Sequence, residues 1–118
     1  MTEETVIYRI APASVIGFTP KPAELALNPP GVSVLSGGTA AEAMAAMRAV
    51  YPRSKKWKGA AAVSTATAAM VRAVGFDVID DPSSNFPNHA RITHPLGAAG
   101  FTDANLAALA AAFTESLV

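Results

Sequence analysis

The residues of this chain with chemistry beyond packing are unevenly placed. Both histidines, two adjacent aspartates, three prolines and an arginine fall within residues 80–95, in an otherwise alanine-rich, apolar sequence. Core building does not ask for so many polar groups with special backbone demands, so this stretch is expected to form a working edge. His89 follows Asp80, Asp81 and Asn85 closely enough for one of them to orient its ring, as a general acid/base or ligand-orienting donor requires. A satisfied structural histidine fits the same residues. His89 and His94 lie five apart in an extended segment and project to opposite faces of a regular strand. With no cysteine and no His-Glu-x-x-His helix, that spacing argues against a zinc site, and no metal is expected. Asp80 and Asp81 point apart as strand neighbours, and Asp-Pro commonly starts a turn, so they read poorly as an acid/base pair.

Arg9 is the lone charge among strongly apolar strand neighbours. It reads either as an edge arginine with its head in water or as a guanidinium that holds a phosphate or carboxylate in bidentate fashion. Ser33 sits between Val32 and Val34 without a Gly-x-Ser-x-Gly elbow, so a serine hydrolase is not indicated, and a hydrogen bond to a ligand remains open. Ser36-Gly37-Gly38-Thr39 precedes a helix, but it lacks a Walker lysine and its capping residues already use the helix-start N–H groups. A turn is expected there rather than a phosphate cradle. Arg53, Lys55, Lys56 and Lys58 around Trp57 form the only basic run, short enough to be a solvated loop.

These residues need positioning elements. Residues 6–10 alternate as a first strand, with Val6, Tyr8 and Ile10 on one face and Ile7 and Arg9 on the other. Residues 13–30 hold four prolines and read as a surface loop tacked down by Phe18, Leu25 and Leu27. A second strand covers 31–35, with Val32 and Val34 facing opposite to Ser33. Thr39 and Glu42 have capping-box spacing for a helix that carries Met44, Met47 and Val50 or Tyr51 inward and stops at Pro52. Residues 60–64 fit a short buried strand or the start of a helix; a strand to about Ser64 is favoured, then a helix through Val74 with Met70, Val71 and Val74 inward, and Gly75 is placed to end that helix. Residues 76–80 and 89–93 are strands, the second with Ala90 and Ile92 on one face and His89, Arg91 and Thr93 on the other. Thr102 caps a last helix whose stripe is Leu106, Leu109, Ala110, Phe113 and Leu117. The order implies an α+β fold, a mixed sheet with about three helices packed against it, in a single domain spanning 1–118.

The bulk numbers narrow the class. At 118 residues, 51% hydrophobic and 15% charged, the chain has enough apolar material for one core. Its formal net charge of zero disfavours a nucleic-acid or anionic-membrane binder. Absent cysteine excludes disulfides and thiolate chemistry and suits a reducing cytosol. The start Met1-Thr2-Glu3-Glu4 is unlike a signal peptide, and no apolar run reaches membrane-spanning length, so a soluble, cytoplasmic protein is expected.

Ile7-Tyr8-Arg9-Ile10, Gly31-Val32-Ser33-Val34 and Asn88-His89-Ala90-Arg91-Ile92 occur in that order across most of the chain. Together they resemble the layout of small bacterial toxins related to ADP-ribosyltransferases, including secreted interbacterial effectors and, more distantly, RES-domain toxins. The resemblance implies an ADP-ribosyltransferase-like fold that binds NAD and either consumes it or transfers ADP-ribose, in the bacterial cytoplasm or in a target cell. It implies Arg9 on a dinucleotide phosphate, Tyr8 or Ser33 at nicotinamide or its ribose, and His89 as the late polar residue. Arg9, Ser33 and His89 would then be catalytic, and Tyr8, Arg9 and Ser33 would bind the cofactor. A neutralising antitoxin or immunity protein would be the partner. The sequence departs from that pattern in offering no glutamate on a late strand, since Glu115 is expected in the last helix. The alternative is a non-enzymatic interaction module, or a small component of a larger bacterial assembly, that uses loops 13–30 and 82–88 as contact surfaces. The enzyme reading requires Arg9, Ser33 and His89 to converge on one concave site.

Overall fold

A computed structural model describes residues 1–12, 24, 26, 30–54 and 61–117. The expectations for Phe18, Leu25, Leu27 and the rest of the proline-rich segment, and for Lys55, Lys56, Trp57 and Lys58, lie outside those residues.

Among the described residues six strands form one sheet: β1 (Val6–Pro12), β2 (Val32–Ser36), β3 (Ala61–Thr67), β4 (Asp77–Asp80), β5 (His89–Thr93) and β6 (Thr114–Leu117), in spatial order β4-β5-β2-β1-β3-β6. Among the described residues three helices of six residues or more accompany them: α1 (Ala40–Val50), α2 (Ala68–Ala73) and α3 (Asp103–Ala111). The α+β class holds, but the expected mixed sheet does not form, because every paired strand is antiparallel to its neighbour. β2 and β3 do run in the same direction, as their helical connection α1 demands. β1 lies between them and pairs antiparallel with both, so the crossover creates no parallel ladder.

Alternation along the strands separates two cores. Ile7, Val32, Val34, Ala66, Val78, Ala90 and Ile92 face one side, where Val71 of α2, Leu109 of α3 and Phe76 pack on them. Tyr8, Leu35 and Val63 face the other, covered by Ala43 of α1 with Met47 and Phe86 beside it. The face assignments read from alternation in β1, β2 and β5 therefore hold.

Local chemistry sets the boundaries. The Glu42 N–H donates to Thr39 Oγ1, and the Thr39 N–H donates to Glu42 Oε1, each at 3.2 Å, which closes the capping box of α1. Gly37 and Gly38, with φ of 73° and 72°, make the turn before it, a conformation that residues with a Cβ rarely adopt. Two expectations fail. The strand expected to end at Ser64 continues to Thr67, because β1 pairs with it throughout, and Thr67 itself caps the short α2. Met70 is consequently exposed rather than inward. The last helix stops at Ala111, and residues 114–117 leave it to pair with β3. That open ladder on β3 outweighs the helical periodicity of four terminal residues.

Candidate functional site

The ladder between β1 and β2 is short. Its pairs are Ile7 with Ser36 and Tyr8 with Leu35, whereas β1 pairs with β3 along its whole length. One residue beyond Tyr8, side chains replace the missing backbone partners. Arg9 Nη1 donates to the Ser33 carbonyl at 2.8 Å, and the Ser33 N–H donates to Glu24 Oε2 at 2.7 Å. The Glu24 carboxylate also accepts from Arg9 Nη1 at 2.8 Å and from Nη2 at 2.5 Å, a bidentate pairing. The Arg9 and Glu24 side chains are 13% and 11% exposed, so this is a largely buried ion pair at the fork between two central strands. Water is mostly excluded there, and the Coulomb attraction is strong.

Cross-strand register extends the site. Arg9 lies opposite Ser64 on β3, and Ser64 lies opposite Glu115 on β6. Directly opposed residues in an antiparallel pair point to the same face, with Cβ atoms about 4.5–5.5 Å apart. Arg9, Ser64 and Glu115 therefore leave one face of the sheet in a row across three strands, with the Arg9 guanidinium reaching from it toward Ser33 of β2 and Glu24. Ser64 is buried and Glu115 is exposed, so the row runs from the interior to the sheet edge. Glu115 is thus a late-strand glutamate after all. Sequence reasoning missed it because residues 103–117 keep a helical apolar rhythm, and it missed Glu24 because that residue lies in a proline-rich stretch of sequence without strand or helix periodicity. A signal for Glu24 did exist, since a lone arginine in an apolar strand needs a buried counter-charge.

The other expected site residues are placed differently. The Ser33 peptide groups join the Arg9 fork, but its side chain faces the opposite side of the sheet, opposite Arg91. His89 shares that opposite face, so the side chains of Arg9, Ser33 and His89 are not brought to one face. Tyr8 is buried, and its hydroxyl donates to the Gly38 carbonyl at 2.7 Å, which commits it to the turn before α1. Burial, and to a lesser degree the charge of Glu42, push its phenol up from 10.0.

The polar stretch 80–95 is largely self-satisfied. His89 Nδ1 lies 2.8 Å from the Asp81 carbonyl, and because a carbonyl only accepts, Nδ1 carries the hydrogen. The Asp81 carboxylate lies 3.3 Å from the same nitrogen and 3.2 Å from Arg91 Nη2. Asn88 Nδ2 donates to the Ser36 carbonyl, while the Ser36 N–H and hydroxyl donate back to the Asn88 carbonyl. His94 packs edge-on to Phe76 with ring centroids 4.9 Å apart, and its Nδ1 accepts the Leu96 N–H. The concentration of polar residues is therefore explained in large part by turn construction. Among the described residues, no group of three or more His, Asp or Glu is arranged to hold a metal, and no helix is long and apolar enough to cross a membrane.

Compared with known proteins, the chain matches no family model, no curated protein and no solved structure.

Proposed function

We propose that this chain is an ADP-ribosyltransferase-like domain that binds NAD and cleaves its nicotinamide–ribose bond, passing ADP-ribose to water or to an acceptor. The observation that carries this reading is the row Arg9–Ser64–Glu115, in register across β1, β3 and β6. Arg9 supplies a planar two-point donor for pyrophosphate. Glu115, at the solvent end, supplies a carboxylate near the reacting ribose.

In the reaction the C1′–N bond breaks with its electron pair moving to the nicotinamide nitrogen, which neutralises the pyridinium. Positive charge grows on the ribose as an oxocarbenium-like centre and is stabilised by the fixed carboxylate. The attacking oxygen bonds C1′ and gives its proton to Glu115. Ser64 is buried and spaces Arg9 from Glu115 along the row rather than touching the ribose. His89 has no step in this scheme, because it lies on the other face of the sheet.

Calorimetry with NAD, and assay of nicotinamide release, test the reading. Glu115→Gln is expected to keep NAD binding and to lower turnover by about 10²–10⁴-fold, the range for one positioned acid/base. Unchanged turnover in this variant, or no saturable NAD binding by the folded wild type, would sink the assignment. A toxin of this type would have a neutralising partner, and co-purification from the native host is the way to find it.

One observation favours a second reading, that of a non-enzymatic interaction module. Glu24 already engages both terminal nitrogens of Arg9, and Ser33 and His89 face away from it. Folded protein that gives no heat with NAD would move the assignment there.

A further inference from the structure

His89 has no step in the chemistry of the Arg9 row, yet its ring is held in one tautomer. Nδ1 donates to the Asp81 carbonyl at 2.8 Å, and the Asp81 carboxylate lies 3.3 Å from the same nitrogen. Asp81 is fixed in turn, because its N–H donates to the His89 carbonyl at 2.9 Å and its carboxylate lies 3.2 Å from Arg91 Nη2. With the hydrogen on Nδ1, the lone pair of the neutral ring is on Nε2. Nε2 makes no hydrogen bond among the described residues, although the side chain is only 18% exposed. Leu35, directly opposite on β2, is buried and faces the same side. An oriented lone pair with no donor on it, in a ring mostly sheltered from water, is the arrangement of a nucleophile. His94 shows the contrast. Its Nδ1 accepts the Leu96 N–H at 3.1 Å, which puts the hydrogen of its neutral ring on Nε2 and leaves that nitrogen no lone pair to offer.

We propose that His89 Nε2 is a phosphoryl-acceptor site, on the face of the sheet opposite the Arg9 row and independent of the NAD reading. The donor class is a small phosphorylated compound with a good leaving group, a phosphoramidate or an acyl phosphate. Nε2 attacks phosphorus, and the N–P bond forms as the bond from phosphorus to the leaving group breaks. That group departs with the bonding electron pair, as ammonia from phosphoramidate or as a carboxylate from an acyl phosphate. The ring keeps its Nδ1 hydrogen and becomes cationic, a charge that the Asp81 carboxylate stabilises. The Arg91 guanidinium, paired with the same carboxylate oxygen, adds positive charge to the corner in which the phosphoryl dianion forms. An acyl group on Nε2 would bring no anion to that corner, so the charges favour phosphorus over carbonyl carbon.

Phosphoramidate is the probe, with the modification followed by intact-mass spectrometry and located by tandem spectra of peptides kept alkaline. In the folded wild type, His89 is expected to react at least about tenfold faster than in the same chain held in urea, the rate equivalent of one charge-assisted hydrogen bond. His94 is expected to stay unmodified in the folded chain and to match His89 in the unfolded one. Asp81→Asn keeps the side-chain size and the carbonyl bond but removes the carboxylate, and should lose most of the folded-state gain while its circular dichroism stays native. His89→Gln should take up no phosphoryl group. Equal rates in the folded and unfolded chain, a label that prefers His94, or an undiminished rate in folded Asp81→Asn each overturn the proposal. Should Asp81→Asn fail to fold, the wild type decides by itself, through the folded-to-unfolded ratio and the choice between the two histidines.

Discussion

Arg9 brings a charge into a strand of apolar neighbours, and Glu24 meets it. Such a pair stabilises modestly when intact and is costly when halved, because the remaining charge is left buried. Arg9→Ala is therefore expected to lower stability by about 3–5 kcal/mol. The double variant Arg9→Met/Glu24→Leu should recover most of that loss, as chemical denaturation of the single and double variants would reveal. Equal losses in the two proteins would mean that the pair contributes more than charge balance. The sequence marked Arg9 as unusual and correctly gave its face, but not its partner. A contact between residues 9 and 24 joins positions fifteen apart in the chain, which no local pattern encodes.

At the scale of elements, caps and alternation were legible, whereas lengths were not. Thr39 and Thr102 cap their helices as read from the sequence, because a threonine oxygen accepts an N–H three residues on, whereas the same bond at Thr67 emerged only with the longer β3. Residues 114–117 were misread because helical rhythm persists in sequence while the free edge of β3 exists only once the sheet has formed. That reassignment is what places Glu115 beside Ser64. The turn between β5 and α3 depends on a close approach that the sequence did not announce. A Cβ on Gly100 would collide with the His94 ring, which is itself held between Phe76 and Phe101. Gly100→Ala should cost about 1–3 kcal/mol by overpacking, visible as a lower melting temperature. Gly97→Ala would strain a positive φ of 61° instead, and meets no such obstacle.

For the molecule as a whole, Arg72 on α2 ties distant parts together, pairing with Asp77 of β4 at 2.9 Å and with Glu3 near the start at 2.8 Å. The hydrogen bond from Arg72 is the largest cause holding the Asp77 carboxyl below its ordinary 3.8. A depressed carboxylate contributes stability that is present above its unfolded pKa and is lost as pH falls through the folded one. The stability difference between wild type and Asp77→Asn should accordingly be present at neutral pH and fade in acid below 3.8. Both partners are partly exposed, so the effect should be small and should shrink in high salt. A difference that is unchanged at low pH would show that Asp77 acts through the backbone of β4 rather than through its charge.

The sequence by itself determined the α+β class, the faces of β1, β2 and β5, the capping box of α1 and the positions of most helices. These follow from side-chain period and from bonds that span three or four residues. Only the tertiary structure decided that all strand pairs are antiparallel, that β1 and β2 part after Tyr8, that Glu24 fills the fork, and that Arg9, Ser64 and Glu115 share a row. Each of these depends on register between segments far apart in the chain. Register is set when the two hydrophobic faces are buried together, so it belongs to the assembled sheet rather than to any one segment.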